Sequence, residues 1–308
     1  MTINVRTAKK GSMRIRGVFP PIPTPLRDDV VDLDAMRYNV DRWMATRVNG
    51  IVVLGTNGEA PLLDETESDE VIAAVRERVP EERLLLAGTG RESTRAAAAA
   101  ARRAGALGAD AVLVRTPSYF KRQLTVEAFV AHYTTIAEAS PVPVVLYNFT
   151  ALTGVTLPVE AVSRLAEHPN IIGMKESGSD LRFVATLVDH TPDDFSILAG
   201  SAPAFYASLL VGAVGGVLAL ACVVPDLCVE LYDLVQANRH REARELQRRL
   251  TPLADLVTSL NGVPGLKSAV SLVGFTAGDP RPPMQPVSAE VVFQLRQALE
   301  ELEVVVPE

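Results

Sequence analysis

A lysine closes the apolar run Asn170-Ile171-Ile172-Gly173-Met174, a pattern that predicts a short buried strand ending on Lys175. A lysine so placed either reaches out to water or stays where its charge is costly, and desolvation then favours the neutral amine. A neutral amine attacks a carbonyl carbon, which is what Schiff-base catalysis requires. The plainer reading, a surface lysine at a strand end, is the ordinary fate of a lone lysine, so the other residues must decide. Polar, hydroxyl-bearing and glycine residues also follow other predicted strands. They are Gly55-Thr56-Asn57-Gly58-Glu59, Thr116-Pro117-Ser118-Tyr119, a terminal Tyr147, Lys175-Glu176-Ser177 and Gly200-Ser201. Glycine permits close backbone approach, so N–H groups there can hold an anion. Each segment alone also has a bland reading: the first an ordinary glycine turn, Tyr147 a core aromatic whose hydroxyl finds a partner.

These residues need elements to carry them. Apolar runs at 17–19, 50–54, 84–87, 111–114, 143–147, 171–175, 196–199 and 216–220 alternate with amphipathic stretches such as 33–47, 64–79, 93–107 and 125–139. Strands without polar alternation belong to a parallel sheet buried on both faces. Eight such units predict an α/β fold of the (β/α)8 TIM-barrel type, whose chemistry sits at the carboxyl ends of the strands. Residues 1–14 read as a flexible N-terminus and 15–224 as the barrel core. Residues 225–308 read as helices that complete the barrel and form a small C-terminal helical appendage. Breaks are expected in that tail at Pro252, at Gly262-Val263-Pro264-Gly265 and at the loop around Pro280.

Composition narrows the function. The chain has 308 residues, 48% hydrophobic and 22% charged, enough for a large core. A formal net charge of −7 without a basic stripe argues against nucleic acid as a partner. Cys222 and Cys228 fit neither a disulfide framework nor a zinc knuckle and read as reduced core thiols. His132, His168, His190 and His240 are scattered without ligand spacing, so no metal is expected. No run resembles a signal peptide or a membrane span, and the expected location is the cytoplasm. Gly88-Thr89-Gly90 lacks the third glycine of a dinucleotide fingerprint, and no strand feeds Gly265-Leu266-Lys267-Ser268 as a phosphate loop would need.

Taken together, GTNGE, TPSYF, strand-terminal Tyr147 and GMKES resemble the dihydrodipicolinate synthase and N-acetylneuraminate lyase family of pyruvate-dependent class I aldolases. The resemblance runs from Phe19-Pro20-Pro21-Ile22-Pro23-Thr24-Pro25 to the helical tail. It implies a Schiff base on Lys175 and proton relay by Tyr147, linked to solvent through Thr56 and Tyr119, the latter reaching across a dimer interface. It implies that Thr56 and Asn57 hold the keto-acid carboxylate, with Gly58 also among the substrate-binding residues. Gly200 and Leu218 match wall positions near the imine, and Ser177 and Ser201 are placed to contact the distal part of the substrate. A homo-oligomer, dimer or tetramer, is implied, with no metal or organic cofactor.

The branch most resembled is 4-hydroxy-2-oxoglutarate aldolase, on GTNGE, LPVEAVSRLAEHPNIIGMKESGSD, LAGSA, GAVGGVLALA and GVPGLK. The expected reaction is cleavage of a 4-hydroxy-2-oxo acid to pyruvate and an aldehyde, here glyoxylate. The alternatives are a 2-keto-3-deoxy sugar acid aldolase or dehydratase, 4-hydroxy-tetrahydrodipicolinate synthase, and a non-catalytic keto-acid-binding paralogue. One departure bears on the synthase. Its members resemble each other in an arginine five residues after the tyrosine, where this chain has Leu152. Leucine makes no bidentate carboxylate contact, so lysine biosynthesis is disfavoured unless Arg122 or Arg182 reaches the spot. The usual proline is also replaced, by Thr150.

Overall fold

The computed structural model describes residues 13–306. The expected flexible terminus therefore lies outside the described residues, except for Met13 and Arg14. Eight parallel strands form the barrel: β1 Gly17–Phe19, β2 Gly50–Val53, β3 Leu84–Gly88, β4 Ala111–Arg115, β5 Val144–Asn148, β6 Ile171–Glu176, β7 Ser196–Ala199 and β8 Gly215–Val217. They pair in the order β1-β8-β7-β6-β5-β4-β3-β2. Between β1 and β2 the circle is closed by a bridge from Pro21 to Val52 and by Asn49 N–H donating to the Val18 carbonyl at 2.9 Å. The fold is a TIM barrel, with further helices at the C-terminal end.

Around the barrel run α1 Leu33–Met44, α2 Glu65–Arg76, α3 Thr94–Ala106, α4 Val126–Ala139, α5 Val159–Ala166, α6 Leu181–Asp189, α7 Phe205–Leu210 and α8 Pro225–Gln236. Helix α2 starts at a capping box in which Asp64 and Glu67 satisfy each other's backbone N–H groups. Strand residues facing these helices, such as Val53, Val112 and Met174, join one extensive buried cluster. Their neighbours facing inward, including Phe19, Val52, Leu86, Leu113, Val145, Leu198 and Val217, form a second cluster that fills the barrel. Ile15 packs with this inner cluster, its N–H donating to Ser196 Oγ at 3.2 Å.

Beyond the barrel lie α9 His240–Ala254, α10 Gly262–Leu272 and α11 Ala289–Glu301. Two expected breaks behave otherwise. Pro252 sits inside α9, and the chain continues into a wide turn, Asp255–Ser259, where Leu260 N–H donates five residues back to the Asp255 carbonyl. Gly262-Val263-Pro264-Gly265 is not a break but the first turn of α10, where proline's missing N–H would have no helical partner anyway. The eighth strand is also shorter than its apolar run: Ala219–Cys222 turns into a 3-10 helix, because hydrophobicity marks burial and not extended backbone. Cys222 and Cys228 are buried free thiols.

Candidate active site

Strand register aims the lysine. Val144 pairs with Ile171 but Val145 pairs with Gly173, so Ile172 is an extra residue, a bulge in β6. The bulge flips the alternation that follows it. Lys175 consequently faces into the barrel beside its register partner Tyr147, and Glu176 faces outward beside Asn148. The Lys175 amine lies 4.4 Å from the centre of the Tyr147 ring. Lys175 is 5% exposed, and among the described residues no carboxylate pairs with it within 4.0 Å.

Tyr147 is also buried, and its hydroxyl lies 2.9 Å from Thr56 Oγ1. Thr56 belongs to the tight turn after β2. That turn is held at both ends by non-glycine residues in left-handed backbone, Leu54 (φ 54°) and Glu59 (φ 58°). Such positions cost about 1–3 kcal/mol each and persist only where the surroundings enforce them. Thr24 Oγ1 donates to the Gly58 carbonyl at 2.7 Å, and Glu59 N–H donates to the Thr56 carbonyl at 3.0 Å.

Lys175, Tyr147, Thr56, Asn57, Ser177, Gly200 and Ser201 all line one cavity of about 820 Å³ at the carboxyl ends of the strands. Its outer wall is largely apolar, with Phe149 and Leu152, Val263 and Pro264 from α10, and Met284 from the loop between α10 and α11. Ser179, which lines it too, lies 3.0 Å from Ser201 between their hydroxyl oxygens. Among the described residues Lys175 is the only basic side chain in this lining. Arg122 and Arg182 are exposed and do not line it, and neither substitutes for the absent arginine at Leu152.

Three expected site residues lie elsewhere. Leu218 packs outward against Gly216 in the outer cluster, while its neighbours Val217 and Ala219 face the cavity; the match to a wall position misses by one residue of strand parity. Gly58 is buried beneath the turn, where a Cβ would meet the Leu54 nitrogen at 2.9 Å, so its role is to let the turn close. Tyr119 is 78% exposed and does not line the cavity of its own chain. It stands edge-on to the exposed Phe120 ring on a loop held by Glu92, whose carboxylate accepts from the Ser118 and Tyr119 N–H groups and pairs with Arg115.

Sequence reasoning missed the part played by the tail. Glu59 and Lys267 form an ion pair at 2.6 Å, with side chains 0% and 1% exposed. Burial pushes the Lys267 amine below its usual range, with Glu59 opposing the shift. Glu59 stood in the GTNGE motif and Lys267 in GVPGLK, but nothing in a linear sequence couples positions so far apart. On the outer face of β6, Glu176 accepts from Asn148 Nδ2 and from Gly178 N–H, each at 2.6 Å, and burial raises its carboxyl above the usual range. Among the described residues no group of three or more His, Cys, Asp or Glu side chains is placed to hold a metal ion, and no helix is long and apolar enough to cross a membrane.

An inward lysine beside a hydrogen-bonded tyrosine, at the mouth of a parallel barrel, is the arrangement of a class I aldolase. Residues 14–302 match the model of the dihydrodipicolinate synthetase family, and the chain belongs to that family. It is thus a lyase, an enzyme of the pyruvate-dependent class I aldolase family. A 4-hydroxy-tetrahydrodipicolinate synthase of Methanopyrus kandleri is 37% identical over 293 residues, covering 94% of this chain and 97% of that one. A protein of the same name from Archaeoglobus fulgidus is 34% identical, over 94% of this chain and 99% of its own. Among solved structures, dihydrodipicolinate synthase from Thermotoga maritima is similar with a TM-score of 0.90 and 30% identity, covering 95% of this chain and 100% of that one. The Acinetobacter baumannii enzyme complexed with pyruvate gives 0.90 and 29%, with the same coverage. These relatives are named as synthases and not as the 4-hydroxy-2-oxoglutarate aldolase that the sequence motifs resemble.

Proposed function

We propose that this enzyme cleaves a 4-hydroxy-2-oxo acid to pyruvate and an aldehyde, with 4-hydroxy-2-oxoglutarate, which yields glyoxylate, as the first candidate. The observation that carries this reading is the pairing of Lys175 with Tyr147 inside a cavity that has Leu152, and no arginine, on its wall. The Lys175 amine adds to the C2 carbonyl, and loss of water gives a protonated imine. The imine accepts the electron pair of the breaking C3–C4 bond, leaving an enamine. Tyr147, hydrogen-bonded to Thr56, takes the C4 hydroxyl proton as the aldehyde departs. Protonation at C3 and hydrolysis then release pyruvate and free the amine. No metal or organic cofactor enters this sequence, because the imine itself is the electron sink.

Thr56 and Asn57 are the groups that hold the keto-acid carboxylate in this reading. Ser177, Ser179 and Ser201 supply uncharged hydroxyls toward the aldehyde side. The exposed Tyr119 joins the relay from a second copy of the chain, which makes the working form at least a dimer, in the cytoplasm.

A second reading, condensation of pyruvate with aspartate semialdehyde, is favoured by the names of the relatives. Against it stands the apolar wall at Leu152. The deciding experiment supplies 4-hydroxy-2-oxoglutarate and a panel of 2-keto-3-deoxy sugar acids, and separately pyruvate with aspartate semialdehyde, and analyses the products by mass spectrometry. Pyruvate plus an aldehyde supports aldol cleavage. A deoxygenated oxo acid marks a dehydratase, and turnover of the semialdehyde alone marks a synthase.

A further inference from the structure

We propose that the buried Glu59–Lys267 ion pair is a positioning device for proton transfer, through which the C-terminal helices set the geometry of the Thr56–Tyr147 hydrogen bond. This rests on the reading of Tyr147 as the acid and base.

The connection is short and continuous. Lys267, on α10, contacts Glu59 Oε1 at 2.6 Å and donates to the Asp279 carbonyl at 2.8 Å. Glu59 Oε2 accepts the Arg281 N–H at 2.7 Å. Both carboxylate oxygens are therefore engaged by the tail. The backbone of Glu59 in turn donates to Thr56, whose hydroxyl meets Tyr147. The Arg281 side chain fastens the same strap from outside. It makes a forked contact with Glu67 at 2.7 and 2.8 Å, reaches Asp29 at 2.8 Å, and donates to the Leu62 carbonyl at 3.0 Å.

Stability alone is a poor account of such a pair. Removing two charges from water costs several kcal/mol per ion, and well-packed apolar residues of similar volume are often at least as stabilising. What a buried pair supplies is direction, since each charge has one acceptable place. The turn it serves needs direction, because Leu54 and Glu59 both hold left-handed backbone that a freed chain would leave. Relaxing the turn moves Thr56, and a displacement of about 1 Å at a reacting group is enough for a roughly hundredfold loss of rate.

The test uses Lys267→Met, Glu59→Gln and the double variant that carries both. Three quantities are read: borohydride trapping of pyruvate on Lys175, the rate at which pyruvate's methyl group exchanges with deuterated water, and the thermal midpoint. Exchange needs the imine and proton transfer but no aldehyde, so it does not depend on which substrate is correct. The expected result is normal trapping in every folded variant, with exchange slowed about tenfold or more. In the double variant no buried charge is left unpaired, so its thermal midpoint returns to the wild-type value while exchange stays slow. Recovery of exchange together with stability in the double variant would overturn the proposal, as would normal exchange in either single variant. Should the single variants fail to fold, the neutral double variant decides the matter by its exchange rate alone. Absence of trapping in the wild-type protein is a separate result and strikes the Schiff-base reading instead.

Discussion

Replacing Tyr147 with phenylalanine removes one oxygen and leaves the ring. The ring lies 4.4 Å under the Lys175 amine and packs in the inner cluster, so the amine keeps its neighbour and the barrel keeps its filling. What is lost is the 2.9 Å contact with Thr56 and, with it, the acid and base. General acid–base catalysis by a placed side chain is worth about 100- to 10,000-fold, which corresponds to about 3–5 kcal/mol of barrier. The structural loss is one hydrogen bond to the half-buried Thr56, about 1 kcal/mol, or a fall of about 2 °C in thermal midpoint for a chain of this size. Turnover and stability should therefore separate widely. Pyruvate release, followed through lactate dehydrogenase, should drop by that factor in Tyr147→Phe while borohydride still traps pyruvate on Lys175. A turnover within about threefold of wild type, far below the range for a lost acid or base, would refute the assignment.

Other consequences follow from neighbouring contacts. Lys175→Met exchanges a buried amine for an apolar chain of similar length, so calorimetry should show stability maintained or raised while pyruvate release and trapping vanish. Leu152→Arg, at an exposed position on the cavity wall, should change stability by less than about 0.5 kcal/mol. Condensation of pyruvate with aspartate semialdehyde, measured by product formation, should rise about tenfold or more through a new charge-assisted contact. His132 sits buried against Thr94, and desolvation lowers its pKa to about 4. The unfolded chain therefore binds this proton near pH 6.5 while the folded one resists it. Its contribution, about 3 kcal/mol, is full above pH 6.5 and is lost as pH falls toward 4. Denaturation of His132→Gln across that interval should show a flatter acid limb than wild type.

The barrel was legible because buried parallel strands are apolar on both faces, and eight such runs stand out from the helices between them. Cavity residues were legible where they sit at a strand end, as Lys175, Tyr147 and the Thr56 turn do. Parity was harder. The resemblance placed Leu218 on the cavity wall, yet alternation along the strand gives that wall to Val217 and Ala219. The bulge at Ile172, which aims Lys175 inward, leaves no mark in composition, since isoleucine suits a regular strand equally well. Pro252 and the Gly262–Gly265 segment read as breaks because proline usually ends helices, but a first turn tolerates proline and a wide turn follows the other. The Glu59–Lys267 pair was hidden for a different reason: it joins residues whose proximity exists only after the tail folds across the barrel mouth.

The whole account turns on one amine. The enzyme is incubated with pyruvate, reduced with borohydride, digested and mapped by mass spectrometry. The prediction is a single carboxyethyl group on Lys175, absent when pyruvate or reductant is omitted. An unmodified Lys175 peptide, or the same group found on a different lysine such as Lys267, would contradict it.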